Sequence, residues 1–210
     1  MERDKNTDEK LVTLKKLLQE FQASRIRSTY ADLAENPEYT NLVEFFFEQI
    51  YGPQDFGFRN DSIKSLHGKL SGILKGDIID AVGKVIQLND LSDELDFQMA
   101  EKMLAQNFDG ELTMPVYQTF YSSLDNYDQR VQQIDLMLDT TRRIHTVSQM
   151  WMIGWTLKAV QQAAHLAGTG KIMDFLVQGY EAFKTVKNID YFIETVEARE
   201  KTLNDRLFEK

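Results

Sequence analysis

Three histidines are the residues of this chain best suited by type to hold a metal ion. None of His67, His145 and His165 has a glutamate three residues before it, so the Glu-x-x-His pattern of di-iron helical bundles is absent. The chain also has no cysteine, which excludes thiolate-bound zinc and iron–sulfur clusters. The sequence therefore predicts no metal site, and histidines that are solvated or hydrogen-bonded.

One tetrapeptide, Gly168-Thr169-Gly170-Lys171, has the composition of a phosphate-binding loop. The complete motif needs a first glycine where His165 stands and a hydroxyl residue where Ile172 stands. No Gly-x-Ser-x-Gly nucleophile elbow occurs either. We predict no catalytic residues and no cofactor, although an enzyme site assembled from scattered Glu, Arg and Tyr remains an alternative.

Charged residues could act as structural braces or line a ligand pocket. Asp55 and Arg59 are four residues apart on a predicted helix, which is the spacing of a local ion pair. The arginines Arg130, Arg142, Arg143 and Arg199 could bind an anionic ligand if two of them converged in the core. Surface ion pairs are commoner, so we favour braces. The candidates for either role are Tyr51, Asp55, Arg59, Arg130, Arg199 and Glu200.

The net charge of the 210-residue chain is -9, which argues against nucleic acid and anionic membrane surfaces as partners. Acidic residues are concentrated between residues 77 and 111. A solvated helix face is the favoured interpretation, and a docking surface for a basic partner is the alternative. The acids are Asp77, Asp80, Asp90, Asp93, Glu94, Asp96, Glu101, Asp109 and Glu111, against Lys84 and Lys102.

The elements that carry these residues are predicted to be helices. Apolar residues recur every three or four positions and the chain has only 3 prolines, which favours an all-α antiparallel bundle of about eight helices. Aromatic residues surround Tyr51-Gly52-Pro53, which predicts a packed elbow at the end of an N-terminal helical arm. We expect a single domain over residues 1–210, in which 1–66 is a candidate N-terminal subdomain and 77–210 the main bundle.

The predicted helix boundaries follow from caps and breaks. The first four helices are expected from about Asp8 to Ala34, Asn36 to Tyr51, Asp55 to Leu66 and Asp77 to Ala105. A fifth begins at Thr113 and a sixth at Asn126, and a seventh, which contains Met150 to Trp155 and can be continuous with the sixth, ends near Ala167. The last two are expected from Lys171 to Val186 and from Asp190 to Phe208.

The most apolar hexapeptide of the chain runs from Met150 to Trp155. It is too short to cross a bilayer, which needs about 20 apolar residues, so no membrane span is predicted. We favour a buried central helix, and the alternative is a dimer or ligand surface. Because indole rings are enriched at interfaces, Trp151 and Trp155 are the interface candidates.

Several motifs spread along the chain resemble a family of uncharacterised bacterial all-helical proteins of about this length. They are Phe45-Phe46-Phe47, Tyr51-Gly52-Pro53 with Asp55-Phe56 and Arg59, Arg130 with Gln133-Ile134, Ala163 with Ala167-Gly168, Phe175-Leu176, Gly179, Ala182-Phe183 and Arg199-Glu200. The resemblance covers nearly the whole chain. It implies a helical fold and no known activity.

These observations favour a non-enzymatic protein that acts through a protein partner or forms a homo-oligomer. The absence of cysteine and of a signal peptide favours the cytoplasm. The alternative function is a sensor or carrier that binds an apolar small molecule between helices, where bundles usually place ligands.

Overall fold

All regular elements in the computed structural model, which describes residues 5–50, 77–166 and 170–210, are helical. The predicted all-α fold class is therefore confirmed. The elbow with Tyr51, Asp55 and Arg59, the short helix predicted after it, and Gly168 lie outside the described residues. The elements are α1 (Lys5–Thr29), α2 (Ala31–Glu35), α3 (Thr40–Phe45), a π-helical turn (Phe46–Ile50), α4 (Asp77–Ala105), α5 (Met114–Ser122), α6 (Tyr127–Ser148), α7 (Trp151–Leu166), α8 (Gly170–Lys184) and α9 (Ile189–Leu207).

The predicted helix boundaries are accurate for α4 and differ most near the N-terminus. The first predicted helix, to Ala34, is interrupted at Tyr30, where the backbone leaves the helical region. Asn36 does not begin a helix. Its side-chain Oδ1 accepts a hydrogen bond from the Glu38 N–H at 3.0 Å, which stabilises a turn, and α3 begins only at Thr40.

Long antiparallel contacts organise the bundle. α4 packs along both α1 and α6, and α9 packs along α6. α7 and α8 form a hairpin, and α3 packs against α8. The hairpin is tight at Gly154, where an added Cβ would lie 2.6 Å from the Tyr180 hydroxyl. A larger residue at this position would require the Tyr180 ring to shift.

The apolar interior consists of two separate clusters. The first cluster joins the C-terminal half of α1 to α2, α3, α6, α8 and α9, and the second joins the N-terminal half of α1 to α4, α5 and the end of α9. The first contains Ile26, Leu33, Leu42, Phe47, Ile134, Phe183 and Ile193 among others, and the second contains Leu11, Leu18, Met99, Met103, Phe120, Tyr121 and Leu207 among others. Polar side chains lie between the two clusters, and they form the candidate site.

Candidate functional site

A layer of polar side chains crosses the bundle between the two apolar clusters. Its members occupy positions at which their own helices otherwise carry core residues. Gln22 follows buried Leu18 by four residues in α1, Arg130 precedes buried Ile134 by four in α6, and Glu200 follows Val196 by four in α9. This spacing directs the polar groups inward. We call Gln22, Arg25, Asp96, Tyr121, Arg130, Glu200 and Asn204 the polar layer.

The polar layer surrounds a cavity of about 220 Å³. Polar side chains of α1, α4, α5, α6 and α9 line one part of it. Its remaining wall is apolar and includes Leu88, Met137, Phe175 and Leu203. A cavity of this size, with mixed walls and a few convergent polar groups, has the features of a small-molecule site.

Arg130 is the most unusual residue of the polar layer, because it is only 3% exposed and forms no direct ion pair with a described carboxylate, Asp96 acting on it only at longer range. Its Nη1 donates to Gln133 Oε1 at 3.3 Å and its Nη2 to the Leu95 carbonyl at 3.5 Å, both long hydrogen bonds. The guanidinium carbon lies 4.5 Å from the centre of the Tyr121 ring. Nε is buried without an acceptor among the residues that the structure describes. Buried charges are normally paired, so a buried guanidinium with only these contacts carries a cost in stability.

Arg25 and Glu200 form the second charged feature of the polar layer. Arg25 Nη1 and Nη2 donate to the two carboxylate oxygens of Glu200 at 2.9 and 3.1 Å, and the Tyr30 hydroxyl donates to the same carboxylate at 2.8 Å. The pair is largely buried and ties α1 to α9. In this bidentate geometry the Glu200 carboxylate has its charge and its hydrogen bonds matched by protein groups, so it needs no ligand.

Asp96 lies on the α4 side of the polar layer. Its oxygens accept hydrogen bonds from the amides of Gln22 at 3.1 Å and Gln19 at 3.3 Å. Burial raises the pKa of the Asp96 carboxyl above its ordinary value, opposed by the positive charge of Arg130 and by the two amide hydrogen bonds. The prediction that the acidic stretch forms a solvated helix face is therefore wrong for Asp96, because this residue lies on the inward face of α4.

Asp96→Asn is expected to change how stability depends on pH. The pKa of Asp96 is higher in the native state than in the unfolded state. The protonated Asp96 carboxyl therefore contributes fully to stability below the unfolded-state pKa, and this contribution is lost as the pH rises through the native-state pKa. The asparagine variant lacks this loss. The stability of the variant relative to the wild type should therefore rise as the pH increases above the ordinary carboxyl pKa, measured by urea denaturation. A difference that stays constant or falls with pH would contradict the assignment.

The structure brings two of the sequence-predicted site residues together. Arg130 and Glu200 line the same cavity, whereas Arg199 lies outside it. Arg199 donates to Asp32 with two hydrogen bonds of 2.6 and 2.7 Å and to the Thr29 carbonyl at 2.7 Å. The hydrogen bond from Arg199 lowers the pKa of Asp32. Arg199 thus joins α9 to the end of α1, as a brace would.

The other two arginines that the sequence singled out do not converge on the cavity. Arg142 pairs with Asp190 and Arg143 with Asp139, and both arginine side chains are exposed.

Trp151 and Trp155 lie on the surface, 71% and 75% exposed. The favoured interpretation of this segment as a buried central helix is therefore wrong. α7 contacts the rest of the described structure mainly through α8, on the face that carries Gly154. The opposite face, with the two tryptophans and Met152, has no covering helix among the described elements.

The described histidines have structural contacts. His145 Nε2 lies 3.0 Å from the Val186 carbonyl, and His165 Nε2 lies 2.9 Å from an Asp174 oxygen that also accepts from Gln161. Within residues 5–50, 77–166 and 170–210, no group of three acidic or histidine side chains is placed to hold a metal ion. In the same ranges, no helix has the length and apolarity required to cross a bilayer.

Sequence reasoning missed Gln22, Arg25, Asp96, Tyr121 and Asn204 as members of the site. The available signal was the interruption of apolar helix faces by polar residues. In α9, for example, Asn204 follows Glu200 by four residues between Leu203 and Leu207, on the face that contributes to the core.

Comparison with known proteins places the chain in a family. The sequence profile of a domain of unknown function, DUF8198, matches residues 1–210, so the chain belongs to that family. This match confirms the resemblance to a family without known activity. No curated protein and no solved structure shows significant similarity to the chain.

Proposed function

We propose that this member of the DUF8198 family is a small-molecule-binding protein whose ligand occupies the cavity in the polar layer. The observation that carries the proposal is Arg130, a buried guanidinium that faces the cavity without a direct ion pair to a described carboxylate. An unsatisfied buried donor destabilises the empty protein, and a ligand that accepts from it would remove that cost. A cytoplasmic location in a bacterial cell, favoured by the lack of cysteine, is part of this proposal.

The position of the cavity suits a sensor or carrier. Six of the described helices, from distant parts of the sequence, contribute to its wall, from Gln22 in α1 to Asn204 in α9. A ligand in contact with all of them would favour one arrangement of the helices, because it binds the folded bundle and not the separated elements. Binding would therefore stabilise the protein and alter its surface.

Methyl NMR of protein with labelled Met and Ile provides a direct test. Met137 lines the cavity, whereas Met103 is fully buried in the second apolar cluster and does not. A library of small anionic, neutral and cationic compounds should contain at least one class that shifts the Met137 resonance and leaves Met103 unchanged. Failure of every class to shift Met137 would overturn the proposal.

The exposed face of α7 supports a second candidate function, which is self-association. Trp151, Met152 and Trp155 are each more than half exposed and lie on one face of the helix. Tryptophan is enriched at interface hot spots, and pairing with the same face of a second copy would cover both tryptophans of each chain.

Sedimentation velocity tests this second function. The wild type is expected to dimerise at tens of micromolar, and Trp155→Glu should give a monomer because a charge in an apolar interface is costly. Val12→Glu is the matched control, since Val12 is an exposed apolar residue of α1. A monomeric wild type, or equal effects of the two variants, would exclude α7 as the interface.

A further inference from the structure

Arg130 and Asn204 both line the cavity, and each has a buried donor atom without a hydrogen-bond partner in the described structure. These atoms are Nε of Arg130 and Nδ2 of Asn204, in side chains that are 3% and 2% exposed. Buried polar groups in folded proteins are nearly always hydrogen-bonded. The missing partner in this cavity is therefore an acceptor.

The two donors belong to one connected group around Tyr121. The Tyr121 hydroxyl donates to Asn204 Oδ1 at 2.8 Å, which leaves the Asn204 amide nitrogen as the free end of that side chain. The Arg130 guanidinium stacks on the ring of the same tyrosine, 4.5 Å from its centre. Tyr121 thus holds both donor side chains in fixed orientations.

The charges around the cavity restrict the acceptor to a group with one negative charge. Arg25 is bound to Glu200, and Asp93 is bound to Lys15. Asp96 acts on Arg130 without a direct ion pair, and together with Glu200 it would repel a dianion such as phosphate more strongly than a monoanion. A cationic ligand would leave both donors without acceptors. A carboxylate has the required charge and accepts well from a guanidinium.

The rest of the ligand is defined by the apolar part of the wall. Ile26, Leu88, Ile134, Met137, Phe175 and Leu203 face the cavity. A second, mainly apolar cavity of about 80 Å³ adjoins it and shares Ile26, Met137 and the Arg25–Glu200 pair as walls. These surfaces favour a hydrocarbon chain or ring.

We infer that the ligand is a small monocarboxylic acid with an apolar body, whose carboxylate accepts hydrogen bonds from Arg130 with Asn204 as a further donor. The inference rests on the proposed function, because it assigns a ligand class to the same cavity. A monocarboxylate is ionised at neutral pH, so it brings a charged acceptor for Nε of Arg130, which has no hydrogen-bond partner in the described structure.

Calorimetric titration with matched probes tests the ligand class. Hexanoate and phenylacetate are the carboxylates, hexan-1-ol and hexylamine replace the carboxylate by a neutral and a cationic group, and inorganic phosphate is the dianion. The carboxylates should bind at least about tenfold more tightly than the alcohol, the amine and phosphate, because only they form the charge-assisted hydrogen bond. An alcohol or amine that binds as tightly as hexanoate would overturn the inference.

Two variants locate the binding. Arg130→Gln should weaken hexanoate binding by at least about tenfold, and Arg143→Gln, an exposed arginine of the same helix, should leave it unchanged. Asn204→Asp keeps the size of the side chain and places a negative charge beside the carboxylate of the ligand, so it should also weaken binding. This variant is the test if Arg130→Gln does not fold. Unchanged affinity in the folded Arg130→Gln or Asn204→Asp protein would contradict the inference.

The outcomes separate this inference from the proposed function. If the wider library shifts the Met137 resonance and the carboxylates do not, only the ligand class is wrong. If no compound of any class shifts that resonance, both fail.

Discussion

Glu200→Ala is expected to lower the free energy of unfolding by about 3 to 5 kcal/mol, as is typical when one partner of a buried ion pair is removed. The substitution removes two hydrogen bonds from Arg25 and one from Tyr30 in a single step. It also leaves the buried guanidinium of Arg25 without the carboxylate that neutralises its charge. Urea denaturation measures the effect.

Glu197→Ala is the matched control for this prediction. Glu197 is in the same helix and pairs with Lys201 at the surface, four residues away. Surface pairs of this kind contribute at most about 1 kcal/mol. Equal losses in the two variants, or a loss below about 1 kcal/mol for Glu200→Ala, would show that the Arg25–Glu200 pair does not stabilise the bundle.

Phe183→Ala is expected to cost about 3 to 5 kcal/mol through loss of apolar contact and formation of a cavity. Phe183 is 1% exposed in the first apolar cluster. Its ring packs edge-on against Phe45 and Phe46, with ring centres 6.4 and 6.0 Å apart. The residue therefore joins α8 to α3 and the π-helical turn.

Tyr191→Ala provides the comparison for Phe183, because Tyr191 is an aromatic residue that is 50% exposed. It stacks on Tyr39 at 5.9 Å, so a loss of about 1 kcal/mol is expected for this variant. A Phe183→Ala loss no greater than that of Tyr191→Ala in urea denaturation would mean that the first cluster is not packed as described.

The helices could be predicted from the sequence because local periodicity determines them. The apolar residues from Ile78 to Leu95 predict α4 without any tertiary information, and the structure has α4 between the predicted residues Asp77 and Ala105. The interruption at Tyr30 could not be predicted in this way. It coincides with the contacts of α9 at this point of the chain, where Arg199 bonds the Thr29 carbonyl and Glu200 the Tyr30 hydroxyl.

The site was only partly predictable, because it depends on the register between helices. The sequence singled out Arg130 and Glu200 individually. It could not show that Asp96, distant from both along the chain, lies at the same level of the bundle. Likewise, the apolar composition of Met150 to Trp155 predicts a helix but does not determine which of its faces a neighbour covers, so the sequence alone leaves both a buried helix and an exposed Trp151 and Trp155 possible.

The polar layer explains why charged residues interrupt the core of this bundle. Arg25 and Glu200 form an ion pair and stabilise the fold, whereas Arg130 is held in place by Tyr121 and has no direct ion pair with any described carboxylate. Residues that serve binding are commonly retained at a cost in stability. On this account, Glu200 acts mainly as a brace and Arg130 mainly as a ligand-binding residue.

A crystal structure of the protein with hexanoate bound is the most direct measurement of the central claim. The account predicts density for one hexanoate in the cavity of the polar layer, with a carboxylate oxygen about 2.7 to 3.2 Å from Arg130 Nε and the hydrocarbon chain against Met137. A cavity that holds only ordered water in such crystals, or a hexanoate bound elsewhere on the protein, would contradict it.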